Sequence, residues 1–434
     1  MSLIILILFT YLCIRAFFQL HLAITVILLQ FQIEQLLQSY FPYLRDTLLG
    51  NWVTNIAIGV IGLLAAVKIL FKSNSPLAGY LNKEFIASIM LFVWSVITIL
   101  WTPSQEKAIA SVSEGVPYFV VNFLIGLFLL TDIRVAQKFI KSILVVGLII
   151  SVLILINPEF TSQYGRLGLQ FSGIYRTNSL SLGELGGLLI ITGLLLRNES
   201  NKLILWNTIR LGALIVGAVL TIQSGARGQL IFAVLFAGIF FLFSAPVFDI
   251  RRLILSLGGL LILGIIISFL MNYLLYGFEA KRFSFEEIMF GASSSEGRMN
   301  NVLVLVNAWS LSPMSWIFGL GFLAFNSLHT GQLDPYSHVL IADTIFELGL
   351  PGFILCFFII YFSLVNYLYL FKFYSSNLQF RSVITTFIAL DFYYLFLANK
   401  QGQLWGCGSL FFFLVASAKL RSCIELESDL NDIA

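Results

Sequence analysis

The residues in this 434-residue chain best able to do chemistry are His338 and a set of arginines. His338 ends the run Asp334-Pro335-Tyr336-Ser337-His338 and is followed at once by the apolar-periodic VLIADTIFELG. Ser337 reads as a helix N-cap, and Gly349 with Pro351 closes the run. That spacing predicts His338 in the first helical turn, where the positive end of the helix dipole disfavours an imidazolium. A neutral imidazole is what a general base must be. The bland reading, a surface or interfacial histidine without a role, stays open at this point. Arg166, Arg176, Arg227 and Arg298 offer the complementary chemistry. A guanidinium fork binds phosphate oxygens bidentately and stays charged at any relevant pH. Interfacial anchoring or pairing with lipid headgroups is the ordinary alternative for each, and for Arg298 pairing with Glu296 as well. Asp343 and Glu347 are four apart and share a predicted helix face. They could orient neighbouring groups, although a solvated acidic face is the expectation for Asp343. Gly319-Leu320-Gly321 reads as a tight turn, His329 as incidental and His21 as structural.

The elements that must position these residues follow from composition. The chain is 59% hydrophobic and 11% charged, against ~25% charged for a soluble globular protein. That is more apolar side chain than one water-soluble core can use, so lipid must be the solvent. Spanning segments need ~20 apolar residues each. About twelve are expected, near 3–29, 52–71, 85–101, 113–130, 137–156, 179–196, 204–222, 227–244, 253–275, 350–371, 382–398 and 404–419. The N-terminus has no basic stretch before its apolar run and reads as a membrane segment, not a cleaved signal. The expectation is an all-α membrane protein, one polytopic domain over 1–434. A large outer loop covers 276–338 and a second covers 157–178. His338 and the four arginines all fall on outer loops or at outer span ends.

Sidedness follows from Lys and Arg, which favour cytoplasmic loops. One alternating set of loops, from Lys68 and Lys72 through Arg134 and Arg251 to Lys419 and Arg421, carries fifteen of them. The other set carries nine, and Arg15 lies inside the first span. The richer side reads as cytoplasmic, with both termini there. The net charge of +3 is too small to point to nucleic acid. The four cysteines have neither metal spacing nor a disulfide framework. The sequence contains no Walker-type phosphate loop, no His-Glu-x-x-His and no outer Asp-x-Asp, so neither metal nor nucleotide cofactor is expected. A donor on the outer side must then bring its own activation, as a polyprenyl diphosphate sugar does.

Four stretches resemble the O-antigen polymerase and O-antigen ligase superfamily of bacterial surface-polysaccharide synthesis. Arg166–Gly183, RLGLQFSGIYRTNSLSLG, resembles its Arg…Gly-x-Phe…Asn-Pro-Asn-x-x-Gly region, with Arg176-Thr177-Asn178 in place of Asn-Pro-Asn. Thr221–Leu230 resembles Leu-Thr-x-Ser-x-x-Arg-Gly, with Arg227 as its arginine. Arg298–Phe322 resembles the arginine-led amphipathic segment that ends in Gly-x-Gly. Ser337–Gly352 resembles His-Asn-x-x-Leu…Glu-x-Gly-x-x-Gly, with Val339 where asparagine is usual. Together they span about 190 residues.

The resemblance implies a GT-C-like, metal-independent inverting glycosyltransferase of the bacterial inner membrane with its active site facing the periplasm. Its donor would be an undecaprenyl diphosphate-linked oligosaccharide and its acceptor a glycan hydroxyl; a chain-length regulator is a further conceivable partner. Carried over by motif, His338 is the base and Arg227 and Arg298 bind the donor diphosphate. Arg166 and Arg176 help, with Asn178 and Glu347 in support. Repeat-unit polymerase is favoured over ligase, because the departures at Asn-Pro-Asn and His-Asn suit the more divergent polymerases. A lipid-linked-oligosaccharide flippase and a structural subunit of an export complex are the readings from other classes. Asp391 and Arg15, charged within spans, speak for the flippase.

Overall fold

The computed structural model describes residues 2–46, 48–72, 80–163, 166–171, 174–175, 179–197, 203–244, 295–328 and 337–433. The expected span at 253–275 lies outside them, as do Arg176, Asn178, His329 and the parts 276–294 and 329–336 of the large loop. The chain divides into two compact units. The first comprises Met1–Pro76, Phe128–Ser284 and Leu370–Tyr393, the second Leu77–Leu127, Phe285–Tyr369 and Tyr394–Ala434.

The first unit opens with α1 (Ser2–Phe18), α2 (Leu20–Leu28), α3 (Gln30–Tyr40), α4 (Pro42–Asp46) and α5 (Leu48–Lys72). The second begins with α6 (Lys83–Ile97) and α7 (Gln105–Tyr118). A π-helical stretch and the short α8 (Gly126–Leu129) lead back to α9 (Ile133–Leu155) of the first unit. Next come three short antiparallel strands, β1 (Phe160–Gln163), β2 (Arg166–Phe171) and β3 (Ile174–Tyr175), then α10 (Ser179–Leu195), α11 (Leu203–Gln223) and α12 (Arg227–Phe243). The second unit resumes with α13 (Ser295–Ser310), α14 (Pro313–Phe318), α15 (Phe325–Leu328) and α16 (Leu340–Ala342). Three long helices end the chain: α17 (Gly349–Phe373), α18 (Leu378–Gln401) and α19 (Gly408–Ile433).

Among the described residues seven helical segments are long and apolar enough to cross a membrane: Trp52–Phe71, Lys83–Leu100, Gln105–Leu129, Ile133–Leu155, Ile204–Gln223, Gly349–Phe373 and Leu378–Lys400. The protein is thus an all-α, multi-pass membrane protein by length and composition. Their ends are set by ordinary caps. The Asp132 carboxylate accepts from Arg134 N and Val135 N at the start of α9, and the Asn82 side chain accepts from Phe85 N at the start of α6. Large apolar side chains such as Ile56, Leu63, Ile215 and Phe357 face outward, as lipid solvation allows.

Two expectations change in the first unit. The span foreseen at 3–29 is two helices. The helix breaks at Gln19, beside the polar residues Arg15 and His21, and α2 starts a new direction. Phe18, at the end of α1, lies 5.2 Å from the Lys68 ammonium near the end of α5. At the other end Ile5 shares a groove with Leu36 and Leu37 of α3. So α1 and α5 run parallel, and α2–α3 returns against them. If the Lys68 side is cytoplasmic, the Ser2 end of α1 faces outward, opposite to the sidedness expected for the N-terminus. A membrane-impermeant thiol reagent on intact cells is then expected to label Ser2→Cys and to spare Phe71→Cys; protection of both positions would restore the original topology.

The second change is α3. Its sequence QFQIEQLLQSY falls between the expected spans 3–29 and 52–71 and is too polar to face lipid, yet it is helical and Gln30, Gln32, Gln35 and Gln38 are buried. Helix α10 satisfies part of this row. Gln32 Nε2 donates to Ser181 O at 2.9 Å, and Gln35 Nε2 donates to Ser181 Oγ at 2.8 Å. The pair α2–α3 is bent by 71°, forming a broken span or a re-entrant turn.

Candidate functional site

Two of the four sequence stretches interlock within the second unit. Helix α14 is capped by Ser312, whose Oγ accepts from Met314 N, and it ends at Gly319. Gly319 and Gly321 have φ of +79° and +95°, a region that an L side chain disfavours. Their backbones join a π-helical turn, Asp343–Glu347, that follows α16. Leu320 N donates to Phe346 O and Gly321 N to Glu347 O, both at 2.9 Å. The Glu347 carboxylate reaches back, accepting from Leu323 N and Phe325 N at 3.0 Å each. Gly349, at φ +66°, closes the turn against Gly319; a Cβ there would stand 2.4 Å from Gly319 N. Tryptophans brace the assembly. Trp94 Nε1 donates to Leu348 O at 2.8 Å and Trp101 Nε1 to Gly319 O at 3.3 Å.

His338 sits on the rim of this assembly, but not in a helix. The helical turn begins only at Leu340, with Val339 as its N-cap residue. His338 has φ +66° and is half-buried. The expected cap fails because Ser337 is used otherwise. Its Oγ accepts from Val339 N at 3.0 Å and donates to the Asp343 carboxylate. A helix-dipole argument for a neutral imidazole therefore has no basis in the structure. What holds His338 is the left-handed turn between Ser337 and Val339, a strained conformation for a non-glycine residue. Asn301 of α13 fixes the near side, its Nδ2 donating to Ser337 O at 3.4 Å. Arg298 is three residues before Asn301 on the same helix, about one turn earlier, and is half-buried.

Asp343 is not on a solvated face. It is 8% exposed and Glu347 is 2% exposed. Burial raises both carboxyls. It lifts Glu347 to about 7, against the pull of its two backbone donors. It lifts Asp343 well above the usual carboxylate range, helped by the charge of Glu347 and opposed by the Ser337 hydroxyl. The folded protein therefore holds more protons than the unfolded chain from the ordinary carboxylate value of ~4.3 up to about 7, so stability falls as pH rises through that window. The melting temperature is expected to drop between pH 5 and pH 8. Asp343→Asn, which keeps an acceptor for Ser337 and removes one buried charge, should flatten that slope. An unchanged slope would remove the carboxyl pair from the explanation.

The other two stretches interlock within the first unit. Gly183 of α10 lies against the turn between α11 and α12: a Cβ there would stand 2.2 Å from Ala226 Cβ and 2.8 Å from Ser224 Oγ. Gly225 makes that turn at φ +66°. Arg227 follows as the first residue of α12, half-buried at a helix N-terminus, where exposed N–H groups also favour anions. Arg166 opens β2 and is exposed; the hairpin pairs it with Gln163. The 157–178 stretch, expected as plain loop, thus carries the strands. Arg176 and Asn178 lie outside the described residues.

Asn301, the bond from Ser337 to Asp343 and the Trp94–Trp101 brace are what sequence reasoning missed. No local sequence signal marks the bond from Ser337 to Asp343, six positions on. Among the described residues no group of three or more His, Cys, Asp or Glu is placed to hold a metal ion. No protein-family model matches the chain, and no curated protein sequence does.

Proposed function

We propose that the protein is an inverting glycosyltransferase that moves an oligosaccharide from undecaprenyl diphosphate to an acceptor sugar hydroxyl, as a repeat-unit polymerase of bacterial surface polysaccharide. The observation that carries this reading is that the four stretches resembling the O-antigen polymerase and ligase superfamily are the ones that fold onto one another, two in each unit. Each pair joins a glycine-built turn to a candidate residue, Arg227 in one unit and Arg298 with His338 in the other.

In the proposed reaction His338 takes the proton from the acceptor hydroxyl as its oxygen attacks the anomeric carbon from the face opposite the leaving group. The bond from that carbon to the diphosphate oxygen breaks, and its electron pair leaves on the diphosphate. Arg298 stabilises that developing charge. Arg227 is assigned phosphate binding on its charge and its helix-terminal position, with Arg166 or Arg176 in reserve. The Arg227 and Arg298 assignments stand or fall separately. Glu347 and Asp343 act through the turns they hold. In this reading the protein resides in the inner membrane with the chemistry on the periplasmic side.

A ligase that attaches polymer to lipid A–core would use the same residues. A flippase for lipid-linked oligosaccharides takes its support from the bent pair α2–α3 and its buried glutamines, since broken helices line many transport paths. Deletion and complementation in a Gram-negative host, read on a lipopolysaccharide gel, separates the first two. A core bearing a single repeat unit in the deletion strain means polymerase; a bare core with polymer on undecaprenyl diphosphate means ligase. In the same strain Arg298→Ala and Arg227→Ala are each expected to cut the ladder by about 10²-fold or more. A full ladder from either variant at wild-type expression removes that arginine from the mechanism.

A further inference from the structure

Helix α1 packs along α2 and α5, and α9 packs along α2 and α3. Between α1 and α9 a half-open groove of about 300 Å³ runs over α2 and α3. Ile5, Leu12, Ile33, Ile149 and Leu153 line it, and among the described residues Arg15 is the one charged residue in the lining. From Ile5 to Arg15 the groove follows ten residues of helix, about 15 Å, which is half the ~30 Å hydrocarbon core of a bilayer. It is thus one leaflet long, apolar along its length and cationic at one end. Other bases gather at that end. Lys68 lies 5.2 Å from the Phe18 ring, and the charges of Lys138 and Arg15 both act on His21.

We propose that this groove is a binding site for one acyl chain of an anionic glycerophospholipid, whose phosphate sits at Arg15 with Lys68 and Lys138 nearby. The occupant follows from three features together. An apolar gap between two helices of a membrane bundle has lost packing that a hydrocarbon chain restores. The groove length fits a chain from a single leaflet. The cationic end belongs to the Lys68 side, where anionic lipids concentrate if that side is cytoplasmic. The lipid would tie α1 to α9 across the groove. The proposal does not depend on glycosyl transfer.

The test is native mass spectrometry of the purified full chain after exchange into detergent holding phosphatidylglycerol, phosphatidylcholine or undecaprenyl phosphate. The wild type is expected to retain one phosphatidylglycerol at least fivefold better than phosphatidylcholine. Arg15→Gln should abolish that preference, and Ile149→Trp, which fills the groove, should lose retention of both phospholipids. Equal retention of the two phospholipids by the wild type would overturn the proposal. So would an undiminished preference in Arg15→Gln, or tighter retention of undecaprenyl phosphate than of phosphatidylglycerol. Arg15 is exposed, so Arg15→Gln decides the headgroup claim even if Ile149→Trp fails to fold.

Discussion

His338→Asn is expected to abolish polymer formation in cells while the protein accumulates at the wild-type level. The choice of asparagine separates two roles that alanine would mix. His338 holds a left-handed backbone, φ +66°, which asparagine adopts more readily than most residues. The Ser337–Val339 turn should therefore survive. Asparagine cannot take a proton, so a general base worth ~10²–10⁴-fold in rate is lost. His338→Gly sharpens the comparison. Glycine relieves the strain of the left-handed turn, so this variant should be at least as stable as wild type and equally inactive. If His338→Gly instead restores the ladder, the position matters for its backbone and not for its imidazole.

The second large effect is on folding. Gly319→Ala should prevent recovery of monodisperse protein. A Cβ at Gly319 would stand 2.1 Å from Glu347 O, and the backbone there is at φ +79°. The obstacle is main chain and cannot swing aside as a side-chain tip could. Backbone strain of ~1–3 kcal/mol and overpacking of ~1–3 kcal/mol sum to about 2–6 kcal/mol, a large part of the ~5–15 kcal/mol of a typical fold. Gly406→Ala is the control, because nothing lies within 4 Å of a Cβ there. Size-exclusion profiles and melting curves of the two variants check the contrast; similar behaviour would mean that the Gly319 turn opens without cost.

Much of the architecture was legible in the sequence because a span announces itself by apolar length. Segments such as Ile133–Leu155 and Gly349–Phe373 match their expected limits within a few residues. Legibility failed where polarity and burial part company. The glutamines of α3 fell between expected spans because their partner Ser181 is about 150 positions away. The break at Gln19 read as a mere interruption because length cannot distinguish one long span from two helices folded back. In the candidate site, Glu347 and the Gly-x-Gly turn were legible as motif pieces, but not as partners in one knot. The cap assigned to Ser337 was wrong for a similar reason. A serine before a helical run has a local use as cap and a competing use towards Asp343, and only the fold shows which prevails.

The measurement that bears most directly on the central claim uses purified protein in proteoliposomes with an undecaprenyl diphosphate-linked repeat unit on the site-bearing side. Glycan length and released undecaprenyl diphosphate are followed together, without added nucleotide. The account predicts one undecaprenyl diphosphate released for each new glycosidic bond, and neither product with His338→Asn. Movement of intact lipid-linked repeat units across the bilayer, with no new bond and no released carrier, would contradict it and identify a flippase.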